Sequence, residues 1–278
     1  MNSKWQAFVG RLWKRINEHE IPGRAAQLSY YFLLALFPLL LFLVTLLGYF
    51  AETGSQLRNT LLAYLATVMP GSAVQLVRST LDEISSARGG GKLSFGLLAA
   101  LWAGSTGMVA ISDTLNVAYH VKETRSWWKV RLVSLLLTVA LSGLILVALT
   151  LIFYGGKIAN AFAARLGFNE VFKLLWTILQ WVIALVFLFA GFSLIYRFAP
   201  DIQHTGQKWL TPGAAVAVLL WLLISFGFRL YLYFFNSYSL TYGSLGALIV
   251  LMLWFYLTGL VILIGGEINS QLEQYRAR

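Results

Sequence analysis

Apolar residues run along this chain in long blocks with few polar interruptions. Six blocks, at about 26–50, 93–111, 130–154, 174–198, 210–235 and 243–265, are long enough to cross a bilayer as helices. A hydrocarbon core of about 30 Å takes roughly 20 helical residues. The block at 93–111 is the most mixed, since "LWAGSTGMVAIS" brings in small and hydroxylated residues that suit a helix packed closely on its neighbours. The pattern predicts an all-α fold in which residues 1–278 form one integral-membrane domain, a six-transmembrane-helix bundle.

Two further stretches have helical periodicity without spanning length. In residues 1–23, Trp5, Phe8, Val9, Leu12, Trp13 and Ile16 share one stripe, while Lys4, Arg11, Lys14 and Arg15 occupy other faces. This predicts an interfacial helix on anionic lipid, ended by Pro22-Gly23. Packing against the protein's own loops is the alternative. In residues 51–92, Leu57, Leu61, Leu65 and Met69 precede Pro70-Gly71, and Val74, Val77, Leu81 and Ile84 follow it, which predicts an outer helical hairpin.

Composition agrees with the pattern. Of 278 residues, 59% are hydrophobic and 12% charged, against about 25% charged in an ordinary soluble domain. The net charge of +10 falls mostly on residues flanking apolar blocks, so anionic head groups of membrane lipids, not nucleic acid, are the expected partners. With the N-terminus inside, thirteen Lys and Arg lie in inner segments and seven in outer ones, which puts both termini in the cytoplasm. There is no cysteine, which excludes disulfides and thiol chemistry.

Polar residues inside or beside the blocks are the candidate site. Arg229 interrupts "ISFGFRLYLYFF" and lies about 9 Å outward of the middle of its block, at 1.5 Å per residue. It either snorkels to the outer interface or meets a head group there. Gln180 stands among apolar neighbours, where an interhelical hydrogen bond is the simplest explanation. Asp113 and Asn116, three apart on one helical face, and Glu267 in "GGEINSQ" sit at inner block ends; convergence would make them an inner counterpart to Arg229. Pro38 removes a backbone donor in mid-block, a candidate helix break. Ala100, Gly104, Ala103 and Gly107 permit close helix approach, within the chain or in a homo-oligomer.

Enzyme chemistry has no visible address. His19, His120 and His204 are far apart in sequence, without metal-ligand spacing, and there is no phosphate loop, nucleotide fingerprint or nucleophile elbow. No catalytic residue, metal or cofactor is expected, and the chain is not expected to be an enzyme.

Four segments, "AAQLSYYFLLALFPLLL" (25–41), "DTLNVAYHVKETRSWWKVR" (113–131), "LIYRFAPDIQHTGQKWLTPGA" (194–214) and "YGSLGALIVLMLWFYLTGLVILIGGEIN" (242–269), resemble the YihY/BrkB family of bacterial inner-membrane proteins. The likeness runs in order through nearly all the chain. It implies a six-span bundle in the bacterial inner membrane. Tyr30 and Pro38, Asn116, Arg197, Pro200 and Pro212-Gly213, then Tyr242-Gly243, Gly246 and Glu267 coincide with the family's characteristic positions. Arg229 lies between the third and fourth motifs, where the resemblance assigns no residue. An older family label, ribonuclease BN, finds no support in these residues, because hydrolysis of RNA would need clustered metal ligands or general acids and bases. The resemblance also connects the family with envelope lipid traffic and, more loosely, with sodium or proton exchange.

The leading reading is transport or translocation of an anionic envelope lipid, with Arg229 and Arg197 handling the head group at the two interfaces and Gln180, Tyr30, Asp113, Asn116, Tyr242 and Glu267 as further site candidates. A cation or proton exchanger is the runner-up, although the blocks as bounded contain no carboxylate. An envelope scaffold acting through the hairpin and the amphipathic helix is the third.

Overall fold

The computed structural model describes residues 2–49, 63, 98–99, 101–166, 170–202, 211–234 and 244–276. Seven helices are assigned there: α1 (Asn2–Glu18), α2 (Ile21–Tyr49), α3 (Thr106–Ala118), α4 (Trp127–Leu166), α5 (Glu170–Phe198), α6 (Pro212–Phe234) and α7 (Ser244–Arg276). Among the described residues there is no strand. The expected outer hairpin, residues 51–92, lies outside the described residues apart from Ala63.

Four helices are long and apolar enough to cross a membrane, at Trp127–Ile152, Leu175–Phe198, Pro212–Tyr233 and Leu248–Gln274. They coincide with the last four expected blocks. The described part of the first block, residues 26–49, falls within α2, and the second is described only in part, where residues 98–99 and 101–104 are helical and a turn at Ser105 leads into α3. α4 packs along α5, and α7 packs along both α2 and α6; α3 lies against α2, α4 and α7, and α1 rests on α7 and α2.

Glycine permits a close approach where α6, α7 and α5 meet. A Cβ on Gly265 of α7 would come within 2.9 Å of the Gly213 carbonyl and the Ala217 methyl on α6, and would collide with the Tyr196 hydroxyl on α5. Small residues at such a crossing let helix backbones approach without displacing a side chain. Tyr196 is fully buried there and donates to the Ile262 carbonyl at 2.9 Å.

Three local expectations are revised. The amphipathic stripe of α1 divides: Ile16 packs against the core beside partly buried Phe8 and Leu12, whereas Val9 and Trp13 face outward, Trp13 at 68% exposure. Self-packing and outward display therefore share one helix. The break comes before Pro22-Gly23, at a turn over His19 and Glu20, where Glu20 has φ 51°. Pro22 instead occupies the first turn of α2, where a missing N–H costs nothing. α2 also continues as one helix through Pro38, so no break interrupts it there; a proline removes one donor while the flanking residues keep theirs.

Candidate functional site

The sequence leaves Glu267 two helical turns from the end of a helix that is apolar for most of its length. Such a carboxylate must be paired or hydrogen-bonded if it is removed from water. Glu267 is 0% exposed, and the end of α1 with the turn after it supplies the partners. His19 Nδ1 bonds to Glu267 Oε1, and because a carboxylate only accepts, the ring nitrogen carries the proton. Arg15 Nη1 stands 3.8 Å from Glu267 Oε2.

Arg15 lies in the last turn of α1 and His19 directly after it, where its amide still donates to the Arg15 carbonyl at 2.9 Å, so the C-terminal end of the helix delivers both on one side. Arg15 Nη2 also donates to Gln274 Oε1 at 2.8 Å and to His120 Nε2 at 3.1 Å. Guanidinium has no acceptor, so His120 Nε2 must accept and the ring must hold its hydrogen on Nδ1. Burial, then His19 and Arg15, pull the His120 pKa down, which favours that neutral form. The two imidazoles meet edge to face with centroids 4.5 Å apart. His120 reaches this place because it ends α3 with φ 56°, a left-handed turn position.

A second network lies on the other side of the α3 terminus. Asn116, buried, donates to Glu123 Oε2 at 2.9 Å and accepts from the Asp201 amide at 2.7 Å. Arg125 grips Glu123 through Nε at 2.8 Å and Nη2 at 2.7 Å, and its Nη2 also reaches the Ala199 carbonyl at 2.8 Å. A cation at that point meets the unsatisfied carbonyls that end α5. Ser112 bonds to the same Ala199 carbonyl. Asp201 accepts from the Thr124 amide and hydroxyl at 2.7 and 2.5 Å. These donors hold both carboxyls below their usual range: the Arg125 side chain first for Glu123, the Thr124 hydroxyl first for Asp201. Burial, then Glu273, pushes the Tyr119 phenol well up, so it stays neutral beside the network.

Between the networks opens a cleft of about 550 Å³ lined by Tyr119, Lys122, Thr124, Asp201, Ser270 and Glu273. A different hollow lies on the flank of the bundle. It is a groove of about 720 Å³ between α4, α5, α6 and α7, with walls including Leu141, Ile145, Trp181, Leu188, Phe192 and Trp221. On α5 its lining runs from Trp181 to Ile195, about 21 Å at 1.5 Å per residue. Thr258 also lines the groove, and its hydroxyl oxygen is buried without a hydrogen-bond partner among the described residues.

The expected site residues separate into groups. Asn116 and Glu267 are brought to the same end of the bundle, in adjoining networks, while Asp113 is exposed on α3. Gln180 donates to the Ile152 carbonyl of α4 at 3.3 Å. The Arg197 guanidinium lies 5.7 Å from the Phe198 ring. Tyr30 is exposed on α2, edge to face with Tyr31, and Arg229 is exposed on α6, away from both networks. Tyr242 lies outside the described residues. Sequence reasoning missed Arg15, His19 and His120 as a cluster and Glu123, Arg125 and Asp201 as a clasp. Only Glu123 and Arg125, two residues apart, carried any local signal.

Among the described residues, no group of three or more His, Cys, Asp or Glu side chains is placed to hold a metal ion. Comparison with known proteins gives relatives over nearly the whole chain. The chain is 40% identical to "Putative ribonuclease-like protein YfkH" of Bacillus subtilis (strain 168), over 96% of each chain. It is 31% identical to "UPF0761 membrane protein VP0125" of Vibrio parahaemolyticus, covering 96% of this chain and 82% of that one. A "UPF0761 membrane protein" of Cronobacter sakazakii is 28% identical, over 97% and 90%. No solved structure matches. The word ribonuclease belongs to the name of the first relative; here neither network presents a metal-ligand group. The family model "Virulence factor BrkB" matches residues 12–278, and this membrane protein belongs to that family.

Proposed function

We propose that this protein conveys an amphiphile with an anionic head group and an acyl tail between the leaflets of the membrane, most simply an envelope phospholipid of the bacterial inner membrane. The observation that carries the reading is the apolar groove of about 720 Å³ on the flank of the bundle, its lining extending through more than half of a hydrocarbon core of about 30 Å. A tail in that groove would leave bulk lipid without leaving an apolar surrounding. Ile195 and Ile262, at one end of the groove, adjoin the buried Tyr196 that separates it from the polar end of the bundle. Exposed Arg11 and Lys14 beside Trp13 on α1 supply cations and an aromatic anchor for an anionic leaflet.

The test is head-group movement in sealed vesicles of mixed neutral and anionic phospholipid that carry a quenchable label on one leaflet. Vesicles containing the purified chain should equilibrate the labelled anionic lipid several-fold faster than protein-free vesicles. Equal rates with and without protein would end the proposal.

A further inference from the structure

Glu267 stands out from every other acid in the four membrane-crossing segments. Those segments contain two carboxylates among the described residues, and Glu273 keeps partial exposure whereas Glu267 has none. Its pairing is incomplete. Glu267 Oε2 and Arg15 Nη1 face each other at 3.8 Å, and both are buried atoms without a hydrogen-bond partner among the described residues. A well-made guanidinium–carboxylate pair is bidentate at about 2.7–2.9 Å. This one is held apart, so only His19 satisfies the carboxylate directly.

His19 is placed to deliver a proton. Its Nδ1 is committed to Glu267, its ring lies against His120, and His120 is exposed to water. An imidazole can accept a proton at Nε2 and release the one on Nδ1. Taking up H⁺ from water breaks the Nδ1–H bond and makes a bond between that hydrogen and Glu267 Oε1. The ring stays neutral as its other tautomer, and the carboxyl becomes neutral. The cluster of Glu267 and Arg15 then passes from zero net charge to +1, and the ionic attraction of Arg15 on α1 for Glu267 on α7 is cancelled.

We propose that Glu267 is a proton-binding site loaded through His19, and that its occupancy decides whether α1 remains fastened to α7. The charged and titratable groups around it are few. α1 brings Arg15 and Glu18, the turn after it brings His19, and the end of α3 brings Tyr119 and His120. α2 brings Arg24, whose Nε holds the His19 carbonyl at 2.8 Å, and α7 brings Glu273. Arg15 favours the empty site. His120 remains neutral as an acceptor from Arg15, so it adds no charge against an incoming proton. The proposal is independent of what the protein conveys.

The full chain in lipid vesicles provides the test. In infrared difference spectra taken between neutral and acidic buffer, the protonated-carboxyl C=O absorption that rises in the unaltered protein should lose one carboxyl's contribution in Glu267→Gln. Because the chain has no cysteine, nitroxides on Gly10→Cys and Lys129→Cys report the position of α1. Their distance distribution should broaden on acidification, and in Glu267→Gln should be broad at every pH. If Glu267→Gln does not fold, His19→Gln and Arg15→Gln take its place. Each removes a group that favours the ionised carboxyl, so each should move the midpoint of the band to higher pH. A C=O absorption undiminished in Glu267→Gln, or a midpoint unmoved by both other variants, would overturn the proposal. Lipid movement that is insensitive to Glu267→Gln would leave the conveyance reading intact, and a titrating band without lipid movement would do the reverse.

Discussion

The two ends of α5 face different worlds. Near Tyr196 to Asp201 it meets α3, α7 and the α3–α4 connection, where buried amides, hydroxyls and ions satisfy one another. Toward Trp181 it turns outward, and the same helix exposes Leu175, Ile178, Trp181 and Val186 beside the groove. In water such a surface would be a fault, yet against hydrocarbon it has no cost. The contrast of Glu267 with Arg229 follows the same division. Both are charges inside apolar helices; one is buried and finds a histidine and an arginine from another helix, while the other stands exposed on α6. A charge in an apolar run is informative through the partners the fold brings to it, more than through its depth.

Breaking the buried pair should have the largest effect. Arg15→Met leaves Glu267 out of water without its cation, and removal of one member of a buried pair costs about 3–5 kcal/mol. Unfolding in detergent monitored by circular dichroism should show that loss at neutral pH, and an unchanged midpoint would mean the carboxylate is already solvated.

The polar end can also be spoiled by volume. Gly265→Ala forces a methyl against Tyr196, Ala217 and the Gly213 carbonyl, and overpacking of this kind costs about 1–3 kcal/mol. Its thermal midpoint should fall, while Gly227→Ala, where a Cβ meets nothing within 4 Å, should leave it in place. Asn116→Ala removes both bonds that join Glu123 to the Asp201 amide and should cost about 1–3 kcal/mol.

Acid should loosen the clasp without needing a mutation. The Glu123 and Asp201 carboxyls are held below their ordinary range, so the stability they contribute is present above the unfolded carboxylate range and is lost as pH falls through their lower folded values. The denaturation midpoint should therefore drop between mildly acidic and strongly acidic buffer. The drop should be smaller in Glu123→Gln; an equal drop would assign the pH dependence elsewhere. The smallest change belongs to Arg229→Gln, within about 0.5 kcal/mol in the same unfolding measurement.

Much of the architecture was legible because spanning length and apolar composition are local properties. The last four blocks match helices, and Glu267 and Asn116 were singled out from their positions at block ends. The networks were not legible, because Arg15 and His19 meet Glu267 across some 250 positions of chain and His120 depends on a left-handed turn after α3. α1 misled for a related reason: periodicity identifies an apolar stripe, but cannot say that Phe8, Leu12 and Ile16 turn inward while Val9 and Trp13 do not. Arg229 drew attention through rarity alone, and no described partner in the fold repays it.

Lipid movement in vesicles with the groove filled tests the account most directly. Gly191→Trp inserts a ring into the groove, where an added Cβ would lie 3.4 Å from Leu141, and Leu219→Trp adds the same ring to the open flank of α6. The account predicts several-fold slower head-group movement for Gly191→Trp, with Leu219→Trp matching the unaltered chain. Equal rates for all three proteins, each correctly folded, would contradict it.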